Sequence, residues 1–477
     1  MPSPGSIPAT PAEGIAPMHP RLRAMLHAPI APTLLKLGWP NVLMMLAQAS
    51  TGLIETWFLA KLGTDVLAGV AVVVPILMLM QNMSQGAMGG GISSAIARTL
   101  GAGRHADANT LVLHAVVINA ALGVFFSVVL LSCGPMIYRT LGVEGAALTA
   151  ALTYSNVVFG GVVLLWLMNA FASVIRGTGN MAVPGAVICG GALVLIPLSP
   201  CLIFGWRPFP ALGVIGGGLA LITYYGIGTL ILGWYCWSGR NPARLIRSRI
   251  RWASMRSILQ VGALAAINPV LTNASIALTT ALVGRYAGTA ALAGYGTAVR
   301  LEYLLMPIAF GLGAPMVAMV GSNIGAGQPD RARRIALVGG GMAFVIGETL
   351  GIAAALWPYA WLRLFGADAS MLSTGATYLH IVGPFYGFFA MGFAMYFASQ
   401  GAGRLKWPLL AGLARLIVAV GVGGAVLALS GSLVAFFAIA AVATSLYGLI
   451  VLWAIASGTW FAGQSRAEGA IVSSAAR

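Results

Sequence analysis

Apolar residues run through this chain in long blocks, each closed by a short polar break. About 20 apolar residues in helical conformation cross roughly 30 Å of hydrocarbon, so every block of that length reads as a membrane span. Twelve are predicted, near residues 35–60, 66–96, 110–133, 150–174, 184–206, 212–237, 258–284, 290–320, 335–358, 372–398, 408–429 and 431–458. The fold class that follows is an all-α polytopic membrane protein with twelve transmembrane helices.

The pattern repeats. Gly63-Thr64-Asp65-Val66-Leu67-Ala68-Gly69 returns as Gly288-Thr289-Ala290-Ala291-Leu292-Ala293-Gly294, an offset of 225. Four further matches follow in order at offsets of 224 to 226: Gly101-Ala102-Gly103 with Gly325-Ala326-Gly327, Gly142 and Tyr154 with Gly366 and Tyr378, Phe171-Ala172-Ser173 with Phe397-Ala398-Ser399, and Gly177-x-Gly179 with Gly401-x-Gly403. Each half contains six spans, so both halves insert in the same orientation, as parallel repeats about an axis along the membrane normal. The predicted organisation is a disordered N-terminal tail (1–32), a six-helix bundle (33–237), a basic linker (238–257), a second six-helix bundle (258–460) and a C-terminal tail (461–477). Two such bundles leave a cleft between them that rocking opens to either side, the layout of alternating-access transport.

Composition sharpens this picture. The 477 residues are 59% hydrophobic and only 8% charged, about a third of the charge of a soluble protein. Soluble multidomain readings are thereby excluded. The 26 basic residues divide into 19 on the side that carries both termini, five on the other side and two, Arg300 and Arg415, inside spans. The positive-inside rule then places both termini in the cytoplasm of a bacterial-type inner membrane. The net charge of +16 is a topology signal and does not imply a nucleic-acid partner. The proline-rich segment 1–32 lacks the apolar core of a cleavable signal peptide. Cys133, Cys189, Cys201 and Cys236 have no metal-ligand spacing and read as small buried residues.

Of ten acidic residues, only Glu55, Glu302 and Glu348 fall inside apolar blocks. A charge at mid-membrane costs about 2.5–3.5 kcal/mol on insertion scales, and such residues generally face an interior cavity. Glu55 reads either as a proton- or cation-binding carboxylate or as a residue tied to nearby hydroxyls or to Lys61. Glu302 lies two positions after Arg300; the pair reads as a compensated charge cluster or as substrate- or ion-binding groups in the second bundle. Glu348 has no nearby base and reads as structural or as a cavity group. Shifting Glu55 forward and Glu302 back by the same offset of 225 lands on Thr280 and Leu77, so the two bundles are chemically specialised. No P-loop lysine, HExxH motif or strand-borne dinucleotide loop is present, and an enzyme is not expected.

Taken together, these residues resemble the multidrug and toxic compound extrusion (MATE) family of secondary transporters over about residues 30–460. The resemblance rests on Glu55-Thr56-Trp57-Phe58-Leu59-Ala60-Lys61-Leu62-Gly63, Gly101-Ala102-Gly103-Arg104, Arg176-Gly177-Thr178-Gly179-Asn180 and Asn323-Ile324-Gly325-Ala326-Gly327, in that order. It implies efflux of organic cations and drugs in exchange for H⁺ or Na⁺, with no other cofactor, by a chain expected to act as a monomer in the bilayer. Members commonly have Asp where Glu55 stands, many have an Asp-Pro where this chain has Ser199-Pro200, and some have a seventh-helix Glu where Asn273 stands; Pro40 stands where some members have a bending proline on the first helix. The implied sites are thus Glu55 for the coupling ion, Pro40 as hinge, and Arg300, Glu302, Asn273, Ser199 and Glu348 as cavity groups. The alternatives are a 6+6 flippase for lipid-linked sugars, whose cleft calls for more basic residues, and a membrane-embedded enzyme.

Overall fold

A computed structural model describes residues 18–206 and 210–461. Among these residues the secondary structure is helical, with no strand. Ten of the described helices are long and apolar enough to cross a membrane, and the pair Gly145–Gly160 and Val162–Gly177, bent by 44°, forms one further span. The 74-residue helix Trp252–Gly325 is two spans, because Gly288 breaks it with φ 81° and ψ 179°. That backbone lies in a region glycine enters freely and other residues avoid. The described residues thus form twelve spans: α1 (Ile30–Ala60), α2 (Thr64–Gly101), α3 (His105–Thr140), α4 (Gly145–Gly160 and Val162–Gly177), α5 (Ala182–Phe204), α6 (Val214–Trp237), α7 (252–287), α8 (289–325), α9 (Pro329–Leu356), α10 (Ala369–Ala402), α11 (Lys406–Ser430) and α12 (Leu433–Ala456).

Two domain expectations need correction. The tail reading fails from Pro20 onward, where Pro20–His27 forms a short helix. Proline at its first position needs no hydrogen-bonded N–H, and Leu22, Met25 and Leu26 share one face and are buried in the second bundle's core. The expected tails at 1–17 and 462–477 lie outside the described residues. The basic linker is non-helical only to Arg251, since α7 begins at Trp252. It lies on the first bundle: Arg244 N donates to Asn109 Oδ1 at 2.7 Å, and Arg251 N donates to His114 Nε2 at 2.8 Å. Of the cysteines only Cys236 is buried; Cys133 is exposed.

The lobes meet along a glycine seam in the half of the membrane nearest the termini. A Cβ on Gly101 would sit 2.0 Å from the carbonyl oxygen of Ser322, and one on Gly325 would sit 2.0 Å from that of Arg98. These two glycines are partners in the repeat. Gly38 and Gly311 face each other across α1 and α8 in the same way. Ser94 Oγ donates to Gln400 O at 2.6 Å, and Arg98 Nη1 donates to Gly401 O at 3.0 Å. Small residues allow this backbone-to-backbone approach, which suits helices that have no hydrophobic drive to associate in lipid.

Candidate functional site

Glu55 lies on α1 one and a half turns before the helix ends, and its side chain turns into the first lobe, 4% exposed. Tyr154 on α4 donates its hydroxyl to Glu55 Oε1 at 3.2 Å. Gly217 keeps α6 close: a Cβ there would lie 3.0 Å from Leu59 and 3.4 Å from the carboxylate. Glu55 borders a cavity of about 380 Å³ whose walls include Gln48, Thr51, Leu77, Gln81 and Tyr225. Lys61 does not pair with it; the ammonium sits over the Trp57 ring at 3.6 Å. The carboxylate therefore has a phenol donor and no ion-pair partner among the described residues.

The second lobe holds its acid differently. Glu302 Oε1 accepts from Tyr378 Oη at 2.5 Å, and Glu302 Oε2 lies 3.5 Å from Arg415 Nη2. Arg415 comes from α11 and lies over the Phe389 ring at 4.7 Å. Glu302 is compensated, as one of its two readings had it, but by Arg415 and not by Arg300. Arg300 is exposed and lies over Phe365 at 5.6 Å, because residues two apart point to different sides of a helix. Removing one member of a buried ion pair strands the other. We expect Arg415→Ala to destabilise the protein by about 3 kcal/mol in a detergent melt, with Glu302→Gln/Arg415→Gln recovering most of that loss. A melt of Arg415→Ala matching wild type would contradict this.

Tyr154 and Tyr378 are repeat partners at an offset of 224. Both bind a buried carboxylate, yet Glu55 arrives from α1 and Glu302 from α8, which are not equivalent helices. Leu77, the residue equivalent to Glu302, lines the Glu55 cavity. Each lobe thus keeps the phenol and supplies the acid from a different wall. The signal is present in the sequence, since these tyrosines are the polar residues shared by the third match.

Comparison with known proteins decides the family. The MatE family profile matches residues 40–201 and 265–427, one segment in each lobe and well over half the chain together. The chain belongs to the MATE family. Relatives include an FAD transporter of Shewanella oneidensis, 26% identical over 83% of this chain and 87% of its own length. A probable multidrug resistance protein NorM of Thermotoga maritima is 27% identical over 79% of this chain and 81% of its own. Among solved structures, a MOP superfamily transporter from Pyrococcus furiosus superposes with a TM-score of 0.82 at 19% identity, covering 92% of this chain and 98% of that one. A MATE protein in a bent conformation gives a TM-score of 0.84 at 19% identity, over 92% and 97%. These structures share the two-lobe, twelve-helix fold expected from the repeat.

The remaining predicted residues take separate places in this MATE fold. Asn273 is exposed, and its amide donates back to Pro269 O at 2.8 Å on its own helix. Ser199 is buried in α5 with a hydroxyl that has no hydrogen-bond partner among the described residues. Glu348 accepts from Gly387 N at 2.9 Å. That N–H is freed where α10 is interrupted by the single turn Gly383–Phe385, so the carboxylate satisfies a broken helix. Neither Asn273, Ser199 nor Glu348 is brought to Glu55 or Glu302 by a hydrogen bond or ion pair among the described residues. Helix α1 continues through Pro40 without interruption.

Sequence reasoning missed two arginines of this MATE protein. By position in the sequence Arg98 and Arg176 belong to the 19 bases of the terminal side, yet both lie within helices and point into the seam between the lobes. Arg176 is 2% exposed. A basic residue in the last turn of a helix usually extends to water, and nothing local in the sequence says that this one turns inward.

Proposed function

We propose that this MATE protein is a secondary active exporter that moves amphipathic organic compounds, organic cations among them, outward in exchange for protons. Glu55 is the observation that carries this reading: a buried carboxylate with no ion-pair partner among the described residues, held by one phenol and bordering a cavity within a rocking lobe. A proton needs only one acceptor oxygen and a path to water. A sodium ion would require several oxygen ligands, which Gln48, Thr51 and Gln81 on the cavity wall would have to supply alongside Glu55. Pro40, which cannot donate a helical hydrogen bond, is the point at which α1 can bend when Glu55 changes its charge. Glu302, paired with Arg415 at 3.5 Å, holds the second lobe together.

The arginine asymmetry supports termini in the cytoplasm of a bacterial-type inner membrane, which makes the glycine seam the cytoplasmic gate, shut in this state. The chain acts as a monomer, since each lobe's candidate site is complete within it. The test uses the full chain in proteoliposomes, with ethidium and riboflavin as probes and pH and sodium gradients imposed separately. An inward proton gradient is expected to drive efflux and a sodium gradient to leave it unchanged. Drive by sodium alone would overturn the proton assignment, and no drive by either gradient would overturn the antiport reading.

A further inference from the structure

We infer that Arg176, together with Gln400 and Gln85, forms a recognition site for an anionic group on the transported compound, displayed when the lobes part at the terminal-side seam. The inference rests on the rocking export proposed above and assigns the substrate class at a place distinct from Glu55.

Arg176 Nη2 donates to Ser173 Oγ at 2.8 Å, Nη1 lies 3.9 Å from Met44 Sδ, and the guanidinium faces the Phe310 ring of the other lobe at 5.9 Å. No carboxylate lies within ion-pair distance among the described residues. The three intramembrane acids are engaged elsewhere, with Tyr154, with Tyr378 and Arg415, and with Gly387. Burying an unpaired guanidinium is costly. The favourable field at the end of α4 offsets at most a fraction of that. The charge is therefore retained for something that is absent when the seam is closed.

The opposite wall is prepared for the same ligand. Gln400 is the repeat partner of Arg176, again at an offset of 224, and is fully buried. Its Nε2 donates to Gly86 O at 3.2 Å and to Tyr396 Oη at 2.8 Å, while its Oε1 has no partner among the described residues. Gly90 leaves space for this amide, since a Cβ there would be 2.0 Å from Oε1. Gln85, on the π-helical turn Asn82–Met88 of α2, lines the same gap; such turns often mark functional positions. One guanidinium and two carboxamides bind phosphate or carboxylate oxygens by charge-assisted hydrogen bonds.

In the closed seam the gap between these groups is about 10 Å³, room for a single water at most. No phosphate or carboxylate fits. A compound that binds Arg176 while the seam is open must leave the pocket when it shuts, so closing the gate expels the anionic end toward the far side. The aromatic rings of Phe310 and Phe397 beside the guanidinium favour a ligand whose charge is attached to a flat apolar body.

Riboflavin and riboflavin 5′-phosphate share one fluorescent ring and differ by the anion. Binding of each to the detergent-purified full chain is measured by fluorescence quenching. Scarcity of the open state weakens both equally, so their ratio is diagnostic. Wild type is expected to prefer the phosphate at least tenfold. Arg176→Gln is expected to bring the ratio within twofold, Arg176→Lys to keep most of it, and Gln400→Glu, which places a counter-charge opposite Arg176, to remove it without deleting the cation. Equal binding by wild type, or an unchanged ratio in both Arg176→Gln and Gln400→Glu, would overturn the site. A ratio lost when phosphatidylglycerol is in excess would make a lipid headgroup its occupant and overturn the substrate assignment. Gradient-driven ethidium efflux without phosphate preference would sink this inference and leave the export reading standing; preference without gradient-driven transport would do the reverse.

Discussion

Glu55→Gln is expected to reduce proton-driven efflux from proteoliposomes to the rate of empty vesicles. The substitution keeps the shape of the side chain and an oxygen able to accept from Tyr154, 3.2 Å away in the wild type, so packing around α1, α4 and α6 is preserved. It removes the ability to gain and lose a charge. Since a carboxylate at membrane depth carries an insertion penalty of about 2.5–3.5 kcal/mol, the variant should melt no lower than wild type. Downhill movement of substrate, which needs rocking but no proton, should continue. Glu55→Asp should restore part of the coupled rate, because the carboxylate remains and is only withdrawn by one methylene. Coupled efflux at the wild-type rate in Glu55→Gln would remove this residue from the mechanism.

An effect of similar size is expected at the seam. Gly101→Val and Gly325→Val each place a branched side chain where even a Cβ would lie 2.0 Å from a carbonyl oxygen of the opposite lobe. Overpacking of this kind typically costs about 1–3 kcal/mol, but here the strain is relieved by parting the lobes. Both variants should therefore fold, remain monodisperse and lose transport. A cysteine at Ser94, buried in the seam of the wild type, should become reactive to maleimide from the terminal side. Gly341→Ala, where a Cβ meets nothing within 4 Å, should behave as wild type. The two seam glycines are repeat partners, so matching phenotypes are expected. Full transport by either valine variant would show that the seam does not need to close.

The fold was largely legible because its signals are local. Apolar blocks give spans, and glycines at seams and turns recur at nearly one offset along the chain because the same close approaches are made twice. The break at Gly288 was implied by its pairing with Gly63 across the repeat, a turn between the first two helices of each lobe. Sites are less legible because they depend on which face of a helix meets which neighbour. Arg300 stands beside Glu302 in sequence, yet Arg415, three helices further on, supplies the counter-charge. Asn273 occupies the position expected of an acid, but its amide folds back onto its own helix. Arg176 reads as an ordinary last-turn cation until the second lobe is placed against it.

The short helix Pro20–His27 precedes α1, whose Leu34 packs in the second lobe's core and whose Met44 and Leu59 pack in the first; the apolar face of the short helix belongs to the second. Asn323 Nδ2 donates to Met25 O at 3.1 Å, and Arg331 Nη2 donates to Ala28 O at 2.5 Å. Only Ala28 and Pro29 separate this anchored segment from the start of α1. A chain reaches about 3.3–3.6 Å per residue when fully drawn out, so this link gives the start of α1 little slack relative to the second lobe. In the rocking proposed above, the lobes would swing apart on the terminal side only until it is taut, and any wider excursion would first have to pull Leu22, Met25 and Leu26 from their bed. In that cycle the aperture offered to a substrate would be limited by a length of backbone as well as by the packing of the spans.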